Sequence, residues 1–191
     1  MKTTPLTELE ALNILLNIIG ELPVNSYNVE GLGDAAIAKN ILETTASSVQ
    51  TSGWYFNTEE GIKFVPDSFG HIYLPKNAIK VLKSDENTRN IKVTQRGQRL
   101  YDLKNHTYVF EDPVYLDIVF FLDFPDIPES ARRYITMKAG RRLQARIISD
   151  ENLYSFTQQD EIEAMRDLEQ EETEAGQYNA ITGNMTSFNI I

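Results

Sequence analysis

Residues 53–61 place the strongest constraint on how this chain can fold. Three consecutive aromatic residues, including the only tryptophan, are followed by two adjacent acids and a glycine. Aromatic side chains bring large areas that favour burial, whereas neighbouring carboxylates have to stay solvated or be paired. The stretch is therefore interpreted as a junction where one element leaves the core and the next begins. Trp54, Tyr55 and Phe56 are predicted to be structural anchors that hold the second helix to a β lobe.

Helical periodicity precedes this junction. Apolar residues recur at helical spacing from residue 9 to residue 19, just after Thr7 and Glu10, which have the spacing of a capping box. Gly20 is predicted to end this first helix. A second helix is predicted over about residues 34–51, because its apolar positions also recur at helical spacing.

Residues 61–124 change to short runs of branched and aromatic residues. Prolines and glycines separate these runs, as expected of strands joined by turns. Spacing this short leaves no room for helical crossovers and therefore predicts antiparallel hairpins. The longest run is expected to form the centre of a sheet. The predicted strands are 62–65, 71–74, 78–82, 91–94, 99–103, 108–110 and 114–121.

Two further helices of opposite charge are predicted over about residues 129–148 and 151–177. Six basic residues and no acid occur in residues 132–146, whereas ten acids and one base occur in residues 150–174. On a helical wheel, the third helix gathers apolar residues on one side and most of its basic residues on the other. These apolar residues are Met137, Leu143, Ile147 and Ile148.

The predicted fold class is α+β, a bundle of about four α-helices with an inserted antiparallel β lobe. Residues 1–60 would supply the N-terminal helices, residues 61–125 the β lobe and residues 126–178 the C-terminal helices. Residues 179–191 contain no charged side chain and no periodic pattern. They are predicted to form an extended tail that docks on a partner, with a frayed terminus as the alternative. The candidate docking residues are Phe188, Ile190 and Ile191.

Composition excludes several kinds of chemistry. The chain has no cysteine, which rules out disulfides, thiolate catalysis and zinc sites built on cysteine. No cofactor or metal is predicted, since neither a glycine-rich phosphate loop nor a helical histidine pair is present. The apolar runs are too short for a transmembrane helix, so no membrane partner is expected. A net charge of −10 argues against a protein that binds nucleic acid mainly through its phosphates.

The basic third helix has three possible roles: contact with DNA phosphates, pairing with an acidic partner, or a solvated face. The acidic helix that follows carries the complementary charge, which favours pairing between the two helices or between neighbouring subunits. In a ring, a contact between one basic and one acidic surface repeats and closes. The predicted subunit interface comprises Arg141, Arg142, Arg146, Glu163, Glu169 and Glu171.

A hydrolase is the alternative, because several acids are close together in the sequence. Glycoside hydrolysis needs two carboxyl groups about 5–5.5 Å apart for retention or about 6.5–9.5 Å apart for inversion, with one of them desolvated. Adjacent acids on exposed turns meet neither condition by default, and His71 and His106 belong to no nucleophile motif. The candidate acid pairs are 59–60, 85–86, 111–112 and 123 with 126.

Three groups of residues, in this order, resemble the tail tubular protein A family of short-tailed, autographivirus-type phages. They are Gly53-Trp54-x-Phe56-Asn57-x-Glu59-Glu60-Gly61, Pro66-Asp67, and Pro128-Glu129-x-x-Arg132-x-Tyr134-Ile135-x-x-Lys138-Ala139-x-Arg141. The resemblance implies a structural virion protein that is assembled in the host cytoplasm. It also implies a dodecameric adaptor ring between the portal protein and a nozzle of tail tubular protein B, with genomic DNA passing through and a tail fibre as a further partner. Because tail proteins meet cell-surface polysaccharide, the hydrolase alternative stays open.

Overall fold

The computed structural model describes residues 4–29, 31, 33–83, 91–147 and 151–185, with side chains except at 83, 151–157 and 177–185. The chain divides into two compact units, one formed by Met1–Val49 with Asp123–Ile191 and the other by Gln50–Leu122. The described ranges contain four α-helices and two antiparallel sheets, which confirms the α+β prediction. Within those ranges no helix has the length and hydropathy of a membrane span.

The elements follow the chain as two helices, five strands and two further helices. The helices are α1 (Glu8–Ile18), α2 (Gly33–Gln50), α3 (Glu129–Ile147) and α4 (Glu151–Met185). A single 3-10 turn, Phe124–Asp126, precedes α3 in the described chain. The strands are β1 (Thr58–Phe64), β2 (Ala78–Lys83), β3 (Val93–Arg96), β4 (Arg99–Asp102) and β5 (Val114–Phe120).

Helix α1 begins with the predicted capping box. The Glu10 backbone N–H donates to Thr7 Oγ1 at 3.3 Å, and the Thr7 N–H donates to Glu10 Oε2 at 3.2 Å. These bonds satisfy N–H groups that the first helical turn leaves without partners. The helix ends before Gly20, whose φ of 80° glycine adopts without a steric penalty. Both boundary signals are therefore confirmed.

Helix α3 packs against both α1 and α4 in the first unit. Gly140 faces α1, because a Cβ at this position would overlap the Ile18 side chain. Small residues thus let the two helix backbones approach closely. The residues of α3 that lie one turn apart and have no exposed area are Ala131, Ile135, Ala139 and Leu143.

The predicted apolar side of α3 is wrong in part. Leu143 is buried as expected, but Met137 is only partly buried and Ile147 is 40% exposed. Ile148 lies outside the described residues. Buried positions occur around most of the helix and include Tyr134. The prediction gave most weight to the largest aliphatic side chains, whereas a helix with neighbours on several sides also buries its small residues.

Helix α4 is longer than predicted and continues to Met185. Residues 179–185 are helical, so the prediction of an extended tail is wrong for them. Gly183 is the residue of this segment that opposes a helix most strongly, and one glycine costs only about 1 kcal/mol. The candidate docking residues Phe188, Ile190 and Ile191 lie outside the described residues, and their docking role stays a prediction.

The second unit is built around β5. The strand order β1-β5-β2 places β5 at the centre and antiparallel to both neighbours, as predicted for the longest run. Strands β3 and β4 form a separate two-stranded sheet. Buried side chains from both sheets, including Leu100 of β4 and Leu116 and Ile118 of β5, join one hydrophobic core.

Two of the predicted strands are absent from the sheets. Residues 71–74 form only an isolated bridge, and residues 108–110 belong to no sheet. The Phe110 N–H instead donates to the Gly70 carbonyl at 2.8 Å. A Cβ at Gly70 would lie only 2.6 Å from Val109 Cγ1, so this close approach requires glycine. The composition of residues 71–74 and 108–110 predicts strands, but the close approach of the chain at Gly70 places them in loops.

Candidate assembly surface

The buried side-chain amide of Asn57 bonds to the backbone at the junction of residues 53–61. Asn57 is 2% exposed, and its Nδ2 donates to the carbonyls of Gln50 at 3.0 Å and Phe120 at 2.8 Å. Its Oδ1 accepts the Trp54 N–H at 2.8 Å. The side chain thereby satisfies backbone groups that burial would otherwise leave without partners.

The side-chain amide of Gln50 bonds to the backbone in the same way. It has no exposed area, and its Oε1 accepts the Leu122 N–H at 2.8 Å while its Nε2 donates to the Leu122 carbonyl at 3.1 Å. Nearby, Gly53 has a φ of 80°, and a Cβ there would lie 3.0 Å from Val119 Cγ2. Periodicity singles out neither amide, because one buried Asn or Gln produces no periodic signal. Asn57 nevertheless belongs to the first group of residues that carries the family resemblance.

The predicted anchors Trp54, Tyr55 and Phe56 are partly buried in the second unit. The rings of Tyr55 and Phe56 meet edge to face, with their centroids 5.6 Å apart. The most buried residue of the stretch is nevertheless the polar Asn57. The role of the aromatic residues in holding the second helix to the β lobe stays a prediction.

Helices α3 and α4 pair opposite charges within the chain. Arg141 forms an ion pair with Glu161, whose side chain is only 12% exposed. At the surface, Arg133 lies 3.4 Å from a Glu163 oxygen and 3.5 Å from an Asp167 oxygen. Exposed pairs of this kind contribute about 0–1 kcal/mol. The structure therefore supports pairing between the helices, one of the two arrangements that the charge pattern predicts.

The six predicted interface residues fall into two groups. Four bind partners within the chain: Arg141, Arg142, Glu163 and Glu171. Arg142 Nη1, for example, donates to Thr45 Oγ1 at 3.0 Å. The other two, Arg146 and Glu169, have exposed side chains. The assignment of all six to a subunit interface stays a prediction, and four of them are exposed at the surface: Arg142, Arg146, Glu163 and Glu169.

Helix α4 also presents an exposed acidic face. Asp160, Glu163 and Asp167 follow one another at intervals of three and four residues, which places them on the same side of the helix. We call these three residues the acidic ridge. Arg133 contacts Glu163 and Asp167, and it is the one base with an ion pair to the ridge in the described part of the chain. The ridge therefore keeps a net negative charge that faces solvent.

A concavity of about 290 Å³ opens between α3 and α4 beside Arg141. Two carboxylates line it, Glu161 and Glu169, so it provides a structural test of the hydrolase alternative. Glu161 is ion-paired with Arg141, whereas the acid of a glycosidase has to be protonated in an apolar setting. The geometry of this concavity does not favour glycoside hydrolysis.

Comparison with known proteins identifies the family. The family model described as tail tubular protein matches residues 9–178. This chain belongs to the tail tubular protein family. Tail tubular protein A of Klebsiella phage KP34 is 32% identical to it over 128 residues, which is 67% of this chain and 66% of that relative. The match thus spans just under two thirds of the relative. The predicted resemblance is confirmed, and the chain is a structural protein of a phage tail.

The described acid pairs among those considered for a hydrolase lie at the surface of this tail tubular protein. Exposure provides none of the desolvation that glycoside hydrolysis requires of its acid. The pair at residues 85–86 lies outside the described residues. The exposed candidates are Glu59, Glu60, Glu111, Asp112, Asp123 and Asp126.

The two histidines of the tail tubular protein occupy loops. The His71 ring meets the Tyr73 ring edge to face at 6.4 Å, and His106 has a φ of 54° in an exposed turn. Backbone N–H donation from His71, followed by that from Phe69, holds the pKa of Asp67 below its usual range. Across the described ranges, no three His, Asp or Glu side chains gather as a metal-binding group would.

Proposed function

We propose that this tail tubular protein assembles into a dodecameric ring that links the portal protein to the tail nozzle. The genome would pass through the lumen of this ring during ejection. Membership of the family over residues 9–178 is the observation that carries the proposal. The ring, its copy number and the channel follow from the resemblance to ring-shaped adaptors. In this role the protein carries out no catalytic step.

The charge distribution supports a ring built by head-to-tail contacts. Such a ring needs two different surfaces on each copy that complement one another. The acidic ridge is one exposed charged surface, and its excess of acid is not neutralised by α3. The net charge of −10 also suits a conduit for DNA, because negative walls repel phosphates and limit adhesion.

The proposed partners are further copies of this chain, the portal protein, a nozzle of tail tubular protein B and a tail fibre. Assembly would begin in the host cytoplasm and end in the virion tail. Phe188, Ile190 and Ile191 are proposed to dock on the portal or on an adjacent copy. Deleting residues 186–191 removes these side chains without shortening α4.

Mass measurement of the intact assembly tests the proposal. The purified chain is examined alone and after mixing with portal protein, and a dodecamer is expected in at least one of the two samples. A chain that remains monomeric in both, over a wide range of concentrations, would contradict the ring. The chain lacking residues 186–191 is the matched variant, and it is expected to fold normally while binding the portal or its neighbours less tightly.

A further inference from the structure

The β3–β4 hairpin carries two arginines in an unusual arrangement. Arg96 and Arg99 are direct partners across the two strands. The guanidinium of Arg96 lies 3.6 Å from the centroid of the Tyr101 ring, and that of Arg99 lies 4.4 Å from the centroid of the Tyr108 ring. The two rings meet edge to face with their centroids 4.8 Å apart, so the four side chains form one contiguous cluster. We call Arg96 and Arg99 the arginine pair.

Like charges directly opposite each other in a sheet are destabilising, which makes this arrangement informative. Among the described residues, neither arginine has a carboxylate partner. The nearby acid of β4 is Asp102, whose Oδ1 already accepts the backbone N–H groups of Lys104 at 2.7 Å and Asn105 at 3.1 Å. Among the described residues, the positive charge of the pair is therefore left without an ion-pair partner.

The ring contacts also prepare the arginines to bind an anion. A guanidinium that lies over an aromatic ring keeps N–H groups that can bind a carboxylate or a phosphate. The ring contacts restrict the motion of the long side chains, so less conformational entropy is lost on binding. Arg96 is exposed and Arg99 partly exposed, and a partner can therefore reach both.

The acidic ridge of α4 matches this pair in charge and spacing. Cross-strand neighbours are about 4.5–5.5 Å apart, and residues one helical turn apart are about 5–6 Å apart. Arg96 and Arg99 can therefore each face one carboxylate, such as those of Asp160 and Glu163. Asp160 is exposed and has no ion pair with any described residue.

We propose that the arginine pair of one copy binds the acidic ridge of the next copy. This inference rests on the proposed ring, because it assigns the two complementary surfaces that a head-to-tail ring requires. A second copy is favoured over DNA as the occupant, since every copy carries the ridge and the net charge of −10 opposes phosphate binding. Duplex DNA remains the competing ligand in the test.

Charge reversal of the pair is the first experiment. R96E/R99E is expected to weaken self-association on the order of tenfold or more, because it places like charges at each contact. The control is K76E/K92E, which changes the net charge equally at exposed lysines of the same unit. R96Q/R99Q removes the charge without creating repulsion, so it provides the same test if the reversed hairpin folds poorly. Circular dichroism and thermal melting establish folding for each variant.

Mixing two defective variants is the decisive experiment. D160K/E163K is expected to assemble as poorly as R96E/R99E, whereas E21K/D126K, a reversal at two other exposed acids of the first unit, is expected to assemble normally. In an equimolar mixture of D160K/E163K and R96E/R99E, alternating copies restore an opposite-charge contact at every interface. Assembly of the mixture to near the wild-type level is the expected result.

The outcomes separate this inference from the proposed ring. Wild-type protein that never assembles, alone or with portal protein, contradicts the ring itself. If the wild type assembles and R96E/R99E does so equally well, the ring stands and the arginine-to-ridge contact is overturned. The contact is also overturned if the mixture shows no rescue, or if R96E/R99E loses only its retention of a short DNA duplex.

Discussion

The two units of this protein use arginine in different ways. In the first unit, Arg132 donates to the backbone carbonyls of Ile127 at 2.5 Å, Pro125 at 2.6 Å and Leu6 at 2.9 Å. In the second unit, Arg96 and Arg99 rest on tyrosine rings and have no acidic partner among the described residues. A guanidinium whose donors are bound to the backbone holds the fold. A guanidinium that contacts only an aromatic ring keeps its N–H groups available to another molecule.

Three residues within the groups that resemble the family also bind the backbone. Asn57 bonds to three backbone groups of the second unit, and Arg132 to three in the first. Asp67 Oδ1 accepts the N–H groups of Phe69 at 2.9 Å and His71 at 2.8 Å. These side chains satisfy polar groups at turns and junctions, where regular secondary structure leaves them unpaired. At these three positions, the resemblance rests on side chains that shape the fold.

Asn57→Ala should have the largest effect on stability, because it leaves two carbonyls and one N–H without their partner in a buried site. The free energy of unfolding is expected to fall by about 3 kcal/mol. A urea titration followed by fluorescence of the single tryptophan, Trp54, reports on this junction directly. Asn40→Ala, at an exposed position of α2, is the control and should change little. Equal effects of the two substitutions would contradict the role of Asn57.

Arg132→Ala tests the structural use of arginine in the first unit. It removes three hydrogen bonds from a charged donor, but the site is partly exposed, so a loss of about 2 kcal/mol is expected. Arg133→Ala is the neighbouring control, since its ion pairs are exposed and should contribute less than about 1 kcal/mol. Chemical denaturation followed by circular dichroism measures both. If Arg133→Ala destabilised the protein more, the assignment of Arg132 would be wrong.

R96A/R99A tests the use of arginine in the second unit. The lost cation–π contacts, about 0.5–1 kcal/mol each, are partly offset by relief of the like-charge contact. The free energy of unfolding should therefore change by less than about 1 kcal/mol. Self-association, measured by sedimentation, should still weaken clearly. A stability loss as large as that of Arg132→Ala would show that the two units use arginine alike.

The smallest expected effect is that of Asp102 on the stability of the fold at acid pH. Burial raises the pKa of this carboxyl, but hydrogen bonds from Asn105 and Lys104 outweigh burial and the pKa is lowered overall. Because the folded pKa lies below the unfolded value of about 3.9, the carboxylate stabilises the fold above that pH. This contribution is lost as the pH falls through the folded pKa. In Asp102→Asn, the free energy of unfolding should therefore decline less steeply below about pH 4 than in the wild type. Urea midpoints measured at a series of pH values test this. Asp112→Asn, at an exposed site, is the control and should give the same midpoints as the wild type.

Several features were predictable because their causes are local. The capping box of Thr7 and Glu10 acts within four residues, and the apolar run of β5 is long enough to identify it as the sheet centre. The failed strands at 71–74 and 108–110 show the limit of such patterns. Their composition favours strands, but the close contact of Gly70 with residues 109 and 110 decides their conformation. That contact joins positions about forty residues apart, and no local pattern reports it.

The sequence by itself determined the α+β class, the start of α1, the opposite charges of α3 and α4, and the family resemblance. These features depend on residue type and on spacing over one or two helical turns. Only the tertiary structure decided that Arg141 pairs with Glu161 and that Arg132 reaches a carbonyl 126 positions earlier in the chain. It likewise placed Arg96 directly opposite Arg99 with an aromatic ring beneath each. A charge acts over a few ångströms, so its role depends on which groups folding brings within that distance.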